Sequence, residues 1–165
     1  MASVKNFEVG SWVVYPSHGV GKLDEIERIE INDEQMEFLV ISFKKNKLIL
    51  KLPVKKAVDS GLRKIASKDD VREVFDSLLQ KNKKRRLMWS KRAQEYENKI
   101  NSGNPLSIAE VIRELYKEGG ENMQSFSERQ IYQQAMERLA REISVVEEIE
   151  ESEAVKKLEI ILQAA

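Results

Sequence analysis

The 165-residue sequence predicts an α+β protein of two domains, a small β-barrel over residues 1–62 and an all-α bundle of about five helices over residues 63–165. Two observations lead to this fold class. Short runs rich in β-branched and aromatic residues, separated by turn residues, fill residues 7–53. Beyond about residue 66 the apolar residues recur at the 3.6-residue period of amphipathic helices, not at the two-residue period of strands.

Four segments of the first domain have strand character. Residues 7–16 are rich in valine and aromatic residues and end at a proline, after which Gly19 and Gly21 suit a tight turn or bulge. The other strand segments are residues 21–31, 36–43 and 48–52. Strands this short and this few cannot form a large sheet, so the pattern favours a small barrel of the SH3 or Tudor type.

The second domain contains signals typical of helix ends. Ser67 precedes two acids at a helix start, Gly103 is suited to a C-terminal cap, and Pro105 is suited to a first turn. Ser125 and Glu128 have the spacing of a capping box. The apolar residues that we expect the helices to bury are Val71, Val74, Phe75, Leu78, Leu79, Ile108, Val111, Ile112, Leu115, Ile131, Ala135, Leu139, Ile143, Val146, Val155, Leu158, Ile161 and Leu162.

Charge is distributed unevenly along the chain although the formal net charge is zero. Residues 81–92 contain seven basic residues and no acid, whereas residues 142–153 contain six acids and no base. A basic block on a helix can neutralise several phosphates at once, so we expect it to face an anionic polymer. We interpret the acidic block as a solvated face.

Trp89 lies inside the basic run and allows two interpretations. A large apolar ring among positive charges can insert between base steps in a DNA minor groove. Alternatively, Ala93, Tyr96 and Ile100 follow Trp89 at helical spacing, which is typical of a charged surface helix whose apolar face packs on a core. This stretch alone leaves both interpretations open.

Residues that the sequence lacks disfavour several classes of function. There are no cysteines, and the single histidine, His18, lies beside a glycine in a predicted turn, so a zinc site or a Ser-His-Asp triad is a poor candidate. Phosphate-binding glycine loops and metalloprotease motifs are absent. We therefore expect no enzymatic activity, no metal and no cofactor. With no long apolar run and no signal-peptide core, we also expect a cytoplasmic protein that binds no membrane.

The aromatic residues of the first domain support a different hypothesis. Trp12, Tyr15, Phe38 and Phe43 could form a cage for a methylated ammonium group, although a barrel this small needs most of its aromatic rings as core. Its exposed strand edges could also pair with a strand of a partner. The alternative function is thus a protein-interaction module, a peptide reader joined to a helical adaptor, without direct DNA binding.

One long motif opens the first domain, Phe7-x-Val-Gly-x-x-Val-Val-Tyr-Pro-x-His-Gly-Val-Gly21. Further motifs are Glu37-Phe-Leu-Val-Ile41, Leu52-Pro53, Gly61-Leu-Arg63, Trp89-Ser-Lys-Arg92 and Ile108-Ala-Glu-Val-Ile-Arg-Glu-Leu-Tyr116. Together these segments resemble the CarD-like proteins, bacterial transcription regulators that bind RNA polymerase, over nearly the whole chain. The barrel also resembles the polymerase-interacting domain of transcription-repair coupling factor, whose ATPase motor has no counterpart here.

The resemblance implies a division of labour between the domains. The barrel would bind the β subunit of RNA polymerase, while the helical domain would contact promoter DNA and stabilise the open complex. Trp89 matches a tryptophan that wedges into the minor groove, which favours an exposed ring, and Lys91 and Arg92 match positions that hold phosphates. From charge alone we add Arg85 and Arg86. We expect a monomer whose DNA contacts are largely independent of base sequence.

Three positions depart from the family pattern. A polymerase-contacting arginine of the family aligns with Ile29, and the nearest base, Arg28, should point to the opposite face of its strand. A second such arginine aligns with Lys51, which keeps the charge but loses the bidentate geometry. A basic position after the tryptophan is Gln94 here. We therefore expect a polymerase contact that is weaker or differently built, and a DNA contact with one charge fewer.

Overall fold

The computed structural model describes residues 7–45, 47–57, 59–81, 88–119 and 125–165, without side-chain detail for residues 117–119. The chain divides into two compact units, Met1–Ile65 and Ala66–Ala165. Strands form the first unit and long helices the second, so the predicted α+β fold class is confirmed.

The N-terminal unit is built on a five-stranded antiparallel sheet. Its strands are β1 (Trp12–Tyr15), β2 (Gly19–Ile31), β3 (Glu34–Phe43), β4 (Leu48–Pro53) and β5 (Arg63–Lys64), with a short helix α1 (Val54–Ala57) after β4. The spatial order is β4-β3-β2-β1-β5. Asn32 and Asp33 both have positive φ, as a two-residue hairpin turn between β2 and β3 requires. Strand β5 was not predicted, and it places Arg63 beside Val14 of β1.

The core of this unit lies on one face of the sheet. Alternate residues of β3 supply its centre, and they stand opposite alternate residues of β2 and β4. Of the four aromatic residues that the sequence offered as core or cage, Phe43 is buried in this cluster and Tyr15 packs against it. Trp12 and Phe38 are half-buried and lie outside the cluster. The core interpretation therefore holds for Phe43 and Tyr15.

The C-terminal unit contains five helices in its described residues: α2 (Lys68–Leu78), α3 (Trp89–Asn101), α4 (Pro105–Gly119), α5 (Phe126–Glu147) and α6 (Glu151–Ala164). The predicted starts are confirmed where their caps are visible. Ser67 Oγ accepts the Asp70 N–H at 3.0 Å, and Asp70 Oδ2 accepts the Ser67 N–H in return. Ser125 Oγ likewise accepts the Glu128 N–H at 3.0 Å.

The described part of the basic run departs from a continuous helix. Lys81 and Met88 are not helical, and α3 begins only at Trp89. Residues 82–87, including Arg85 and Arg86, lie outside the described residues. Of the described basic residues in the run, only Lys91 and Arg92 are therefore on the helix.

The helices enclose one apolar core, and among the described residues two carboxylates are buried with it. Glu114 of α4 and Glu142 of α5 are 6% and 4% exposed. Glu142 Oε2 accepts the backbone N–H of Ala66 at 2.9 Å, which fixes the chain just before α2 begins. Glu142 belongs to the acidic block of residues 142–153, so the interpretation of that block as a solvated face is wrong for this residue.

Candidate nucleic-acid interface

Helix α3 carries the candidate DNA-contacting residues and is tied to two neighbouring helices. Arg138 of α5 donates to the Ile100 carbonyl at 3.1 Å, near the C-terminal end of α3. Lys99 forms ion pairs with Glu95 on its own helix at 3.3 Å and with Glu110 of α4 at 3.1 Å. Tyr96 and Ile100 anchor the inner face of α3 in the core. These contacts hold the axis of the helix, so the residues of its first turn have a defined position.

Trp89 is the first residue of α3. Its indole is half-buried and packs against the core of the helical unit. The ring therefore lies between the two interpretations of the sequence, because it is neither fully exposed nor part of the buried core. One side of the indole is supported by the protein, and the remainder is open to a partner.

Arg92 and Tyr96 follow Trp89 at i+3 and i+7, and the three side chains form one stripe along the helix. The Trp89 and Tyr96 ring centroids are 6.3 Å apart and the rings are tilted by 57°. The Arg92 guanidinium carbon lies 6.0 Å from the Trp89 centroid and 5.5 Å from the Tyr96 centroid. A guanidinium within about 6 Å of an aromatic face is attracted by the ring electrons, so the stripe is cohesive.

The hydroxyl of Tyr96 connects this stripe to helix α4. It accepts a hydrogen bond from Arg92 Nη2 at 2.6 Å and is also hydrogen-bonded to Glu114. Burial raises the pKa of Tyr96 to about 12, with Arg92 acting in the opposite direction and Glu114 adding to the rise. The phenol is therefore neutral at physiological pH and keeps its proton for the carboxylate.

Lys91 has a different environment from Arg92. Its side chain is exposed, and its ammonium group forms no ion pair with any described residue. Gln94, one turn further along, is also exposed and lies 3.4 Å from the Asn98 side chain. Lys91 can therefore bind a phosphate without losing a contact to any described residue, which agrees with its predicted role as a phosphate ligand.

A groove of about 440 Å³ lies beside the indole, between α3 and α5. Trp89 and Ala93 form part of its apolar lining, and Gln130 and Gln134 contribute amide groups. Glu97 and Glu137 also line it. The carboxylates oppose a phosphate, whereas the amides can donate and accept hydrogen bonds as the base edges of a minor groove require.

The candidate polymerase-contacting residues lie in the N-terminal unit, and the sheet separates them. Because side chains alternate along a strand, the register places Ile29 and Lys51 on one face and Arg28 on the other. Lys51 Nζ forms an ion pair with Glu27 at 3.0 Å, and Arg28 Nε lies 3.9 Å from Glu37. Ile29 and Lys51 can therefore contact one partner surface, and Arg28 cannot share it.

Sequence reasoning missed the buried polar residues behind α3. Tyr96 was recognised only as a core residue, and Glu114 was not singled out. A signal was present, because Glu114 falls between Val111 and Leu115 on the predicted apolar face of its helix. A carboxylate at such a position predicts a buried partner.

The part of the chain that the structure describes contains neither a metal-binding cluster nor a membrane-spanning helix. No group of histidine, cysteine or carboxylate side chains there could hold a metal ion. None of the described helices is long and apolar enough to cross a membrane.

Comparison with known proteins identifies both units. Residues 7–66 match the CarD-like/TRCF RID domain, a class of domain that interacts with RNA polymerase, and residues 73–159 match the CarD C-terminal domain. The "Putative transcription factor YdeB" of Bacillus subtilis (strain 168) is 27% identical over 147 residues, covering 89% of this chain and 96% of that protein. The chain therefore belongs to the CarD-like family, a family of transcription factors.

Proposed function

We propose that this protein stabilises the open complex of RNA polymerase at promoters. The N-terminal unit binds the β subunit of the polymerase, and the C-terminal unit contacts the DNA at the edge of the melted region. Trp89 enters the minor groove, and Lys91 together with the basic residues before the helix contacts phosphates. The observation that carries the proposal is the half-buried indole at the start of α3, in a chain that joins both CarD-like domains.

The support behind the indole is what a wedge requires. An apolar side chain that separates base steps opposes an unstacking cost of a few kcal/mol, so a freely rotating ring would lose much of its effect. Trp89 packs on the core on one side and faces Arg92 at 6.0 Å. Its position is therefore largely set before DNA binds.

Phosphate contacts add affinity without base specificity. Each neutralised phosphate contributes about −0.9 to the log–log slope of affinity against salt, so four contacts predict a slope near −3.6. Lys91 supplies one such contact from an exposed position. Arg85 and Arg86 remain candidates from charge alone.

Tethering by the polymerase makes weak DNA contacts sufficient. Binding of the N-terminal unit raises the local concentration of the C-terminal unit at the promoter. A preference of about 1.4 kcal/mol for the open over the closed complex then changes their ratio tenfold. The face with Ile29 and Lys51 provides the polymerase contact, and Lys51 must exchange Glu27 for a polymerase carboxylate when it binds.

The test is the lifetime of open complexes on a promoter that opens poorly, measured with and without the full chain. The proposal predicts a longer lifetime, which saturates as the polymerase becomes fully occupied. An unchanged lifetime at full occupancy would contradict it and would favour the alternative, an interaction module that recruits another protein. A DNA affinity that does not change with salt concentration would also favour this alternative.

A further inference from the structure

We propose that Arg92 is a positioning residue for Trp89, held in place by a hydrogen-bonded chain that runs from Glu114 through Tyr96 to its guanidinium. In this arrangement Arg92 orients the indole and contributes little to phosphate binding, unlike its neighbour Lys91. The consequence for promoter DNA depends on the proposed function, but the orientation of the indole is a property of the free protein.

At the outer end of this hydrogen-bonded series, the contacts of Arg92 fix its guanidinium. Arg92 Nη2 donates to the Tyr96 hydroxyl at 2.6 Å, and the guanidinium carbon lies near the rings of both Trp89 and Tyr96. Arg92 is half-buried, in contrast to the exposed Lys91. A side chain with these contacts on both sides has few rotamers left, and the indole that it faces is restricted in turn.

At the inner end of the hydrogen-bonded series, Tyr96 is held rigidly. Tyr96 is 1% exposed, so its ring cannot move without disturbing the core. Its hydroxyl has one proton to donate, which goes to Glu114 of the neighbouring helix, and it accepts from Arg92. Each hydrogen bond thus has a fixed donor and a fixed acceptor. Through these bonds the position of Arg92 is determined by α4 as well as by its own helix, α3.

Arg92 and Lys91 differ in how closely each side chain is held by the protein. Glu114, which is 6% exposed, lies at the buried end of the hydrogen bonds that hold Arg92. The bond to Tyr96 and the contacts with two rings hold the Arg92 guanidinium against the protein, which limits its reach toward a phosphate. Lys91 forms no such contact with any described residue, so the two neighbouring bases have different roles.

The first experiment measures the motion of the indole in the free, full-length protein. In a Trp12→Phe background, Trp89 is the sole tryptophan, and its time-resolved fluorescence anisotropy reports ring motion on the nanosecond scale. Tyr96→Phe keeps the buried ring but removes the hydroxyl, and Arg92→Gln removes the guanidinium. Both should roughly double the amplitude of the fast decay, since rotamer exchange occurs on this timescale. Lys91→Gln, the matched control on the same helix turn, should leave it unchanged.

The second experiment separates positioning from phosphate binding. Lys91→Gln should lower the magnitude of the salt slope of DNA affinity by about 0.9, whereas Arg92→Gln should lower it by less than half as much. The proposal is overturned if Arg92→Gln reduces the slope as much as Lys91→Gln, or if both Tyr96→Phe and Arg92→Gln leave the anisotropy unchanged. Loss of indole order without any effect on open complexes would instead refute the proposed function and leave the positioning role intact.

Discussion

Gly21 in β2 is the position where a single methyl group should test the packing of the N-terminal unit. A Cβ atom built on Gly21 would lie 2.7 Å from Phe43 Cε1 and 2.8 Å from Ile41 Cγ2. Both side chains are buried in the core, at 2% and 0% exposure, so neither can move aside into solvent. Gly21 has no positive φ, so the cost of Gly21→Ala is steric and not one of backbone strain.

Overpacking of this kind costs about 1–3 kcal/mol. For an unfolding transition with an m-value of about 2 kcal/mol per molar urea, the midpoint should fall by roughly 0.5–1.5 M. The full chain would be unfolded in urea in a Trp89→Phe background, where Trp12 of β1 reports on the sheet alone. The helical unit, followed by circular dichroism at 222 nm, should keep its own midpoint.

A second substitution makes the prediction specific. Phe43→Leu removes the ring edge that the new methyl group meets, so the double variant should be more stable than the sum of the two single costs predicts. The expected coupling is about 0.5–3 kcal/mol, and the contact with Ile41 keeps the rescue partial. Strict additivity of the two substitutions, or a Gly21→Ala variant as stable as the wild type, would refute the packing argument.

Three further predictions concern other buried or paired groups. Glu142→Ala leaves the Ala66 N–H without this acceptor and should lower the free energy of unfolding by about 1–3 kcal/mol, measured in urea by circular dichroism. Glu142→Gln keeps an acceptor and should lower it by less. Equal losses for the two variants would contradict this role of Glu142. Burial raises the pKa of Tyr96 to about 12 from 10.0, so the unfolded chain ionises first and stability should fall as pH rises from about 10 to about 12. A Tyr96→Phe variant should show a shallower loss in alkaline unfolding curves, and an identical pH profile would be inconsistent with the burial. Lys51→Arg provides a forked donor and should tighten polymerase binding by about 0.5–1 kcal/mol, roughly two- to fivefold in Kd. Lys55→Arg is the control and should leave the Kd unchanged. If a binding titration shows no gain in affinity for Lys51→Arg, Lys51 is not part of the contact.

Local signals were sufficient for most of the architecture. Strand patterning predicted the segments that form β2, β3 and β4, and proline and serine at helix starts predicted α2, α4 and α5. These features depend on neighbours in the sequence, so they can be inferred without the fold. Strand β5 escaped because its two residues, Arg63 and Lys64, have no periodicity and are defined only by pairing with β1.

The candidate site was predictable only in part, because its properties depend on contacts across the bundle. Spacing placed Trp89 on the same face as Tyr96 and Ile100, and this face does pack on the core. Trp89 is the first residue of the helix, and spacing alone did not predict that its ring is only half-buried. The pairing of Tyr96 with Glu114 joins two helices, and no local pattern reveals which carboxylate a buried phenol will meet.

The central claim is that Trp89 stabilises the open complex from its place on α3. Its most direct test is the open-complex lifetime with the wild type and Trp89→Ala, each added at a concentration that saturates the polymerase. The account predicts that the wild type lengthens the lifetime and that Trp89→Ala loses most of this effect while binding polymerase with the same affinity. A Trp89→Ala variant that binds polymerase equally and lengthens the lifetime as much as the wild type would contradict it.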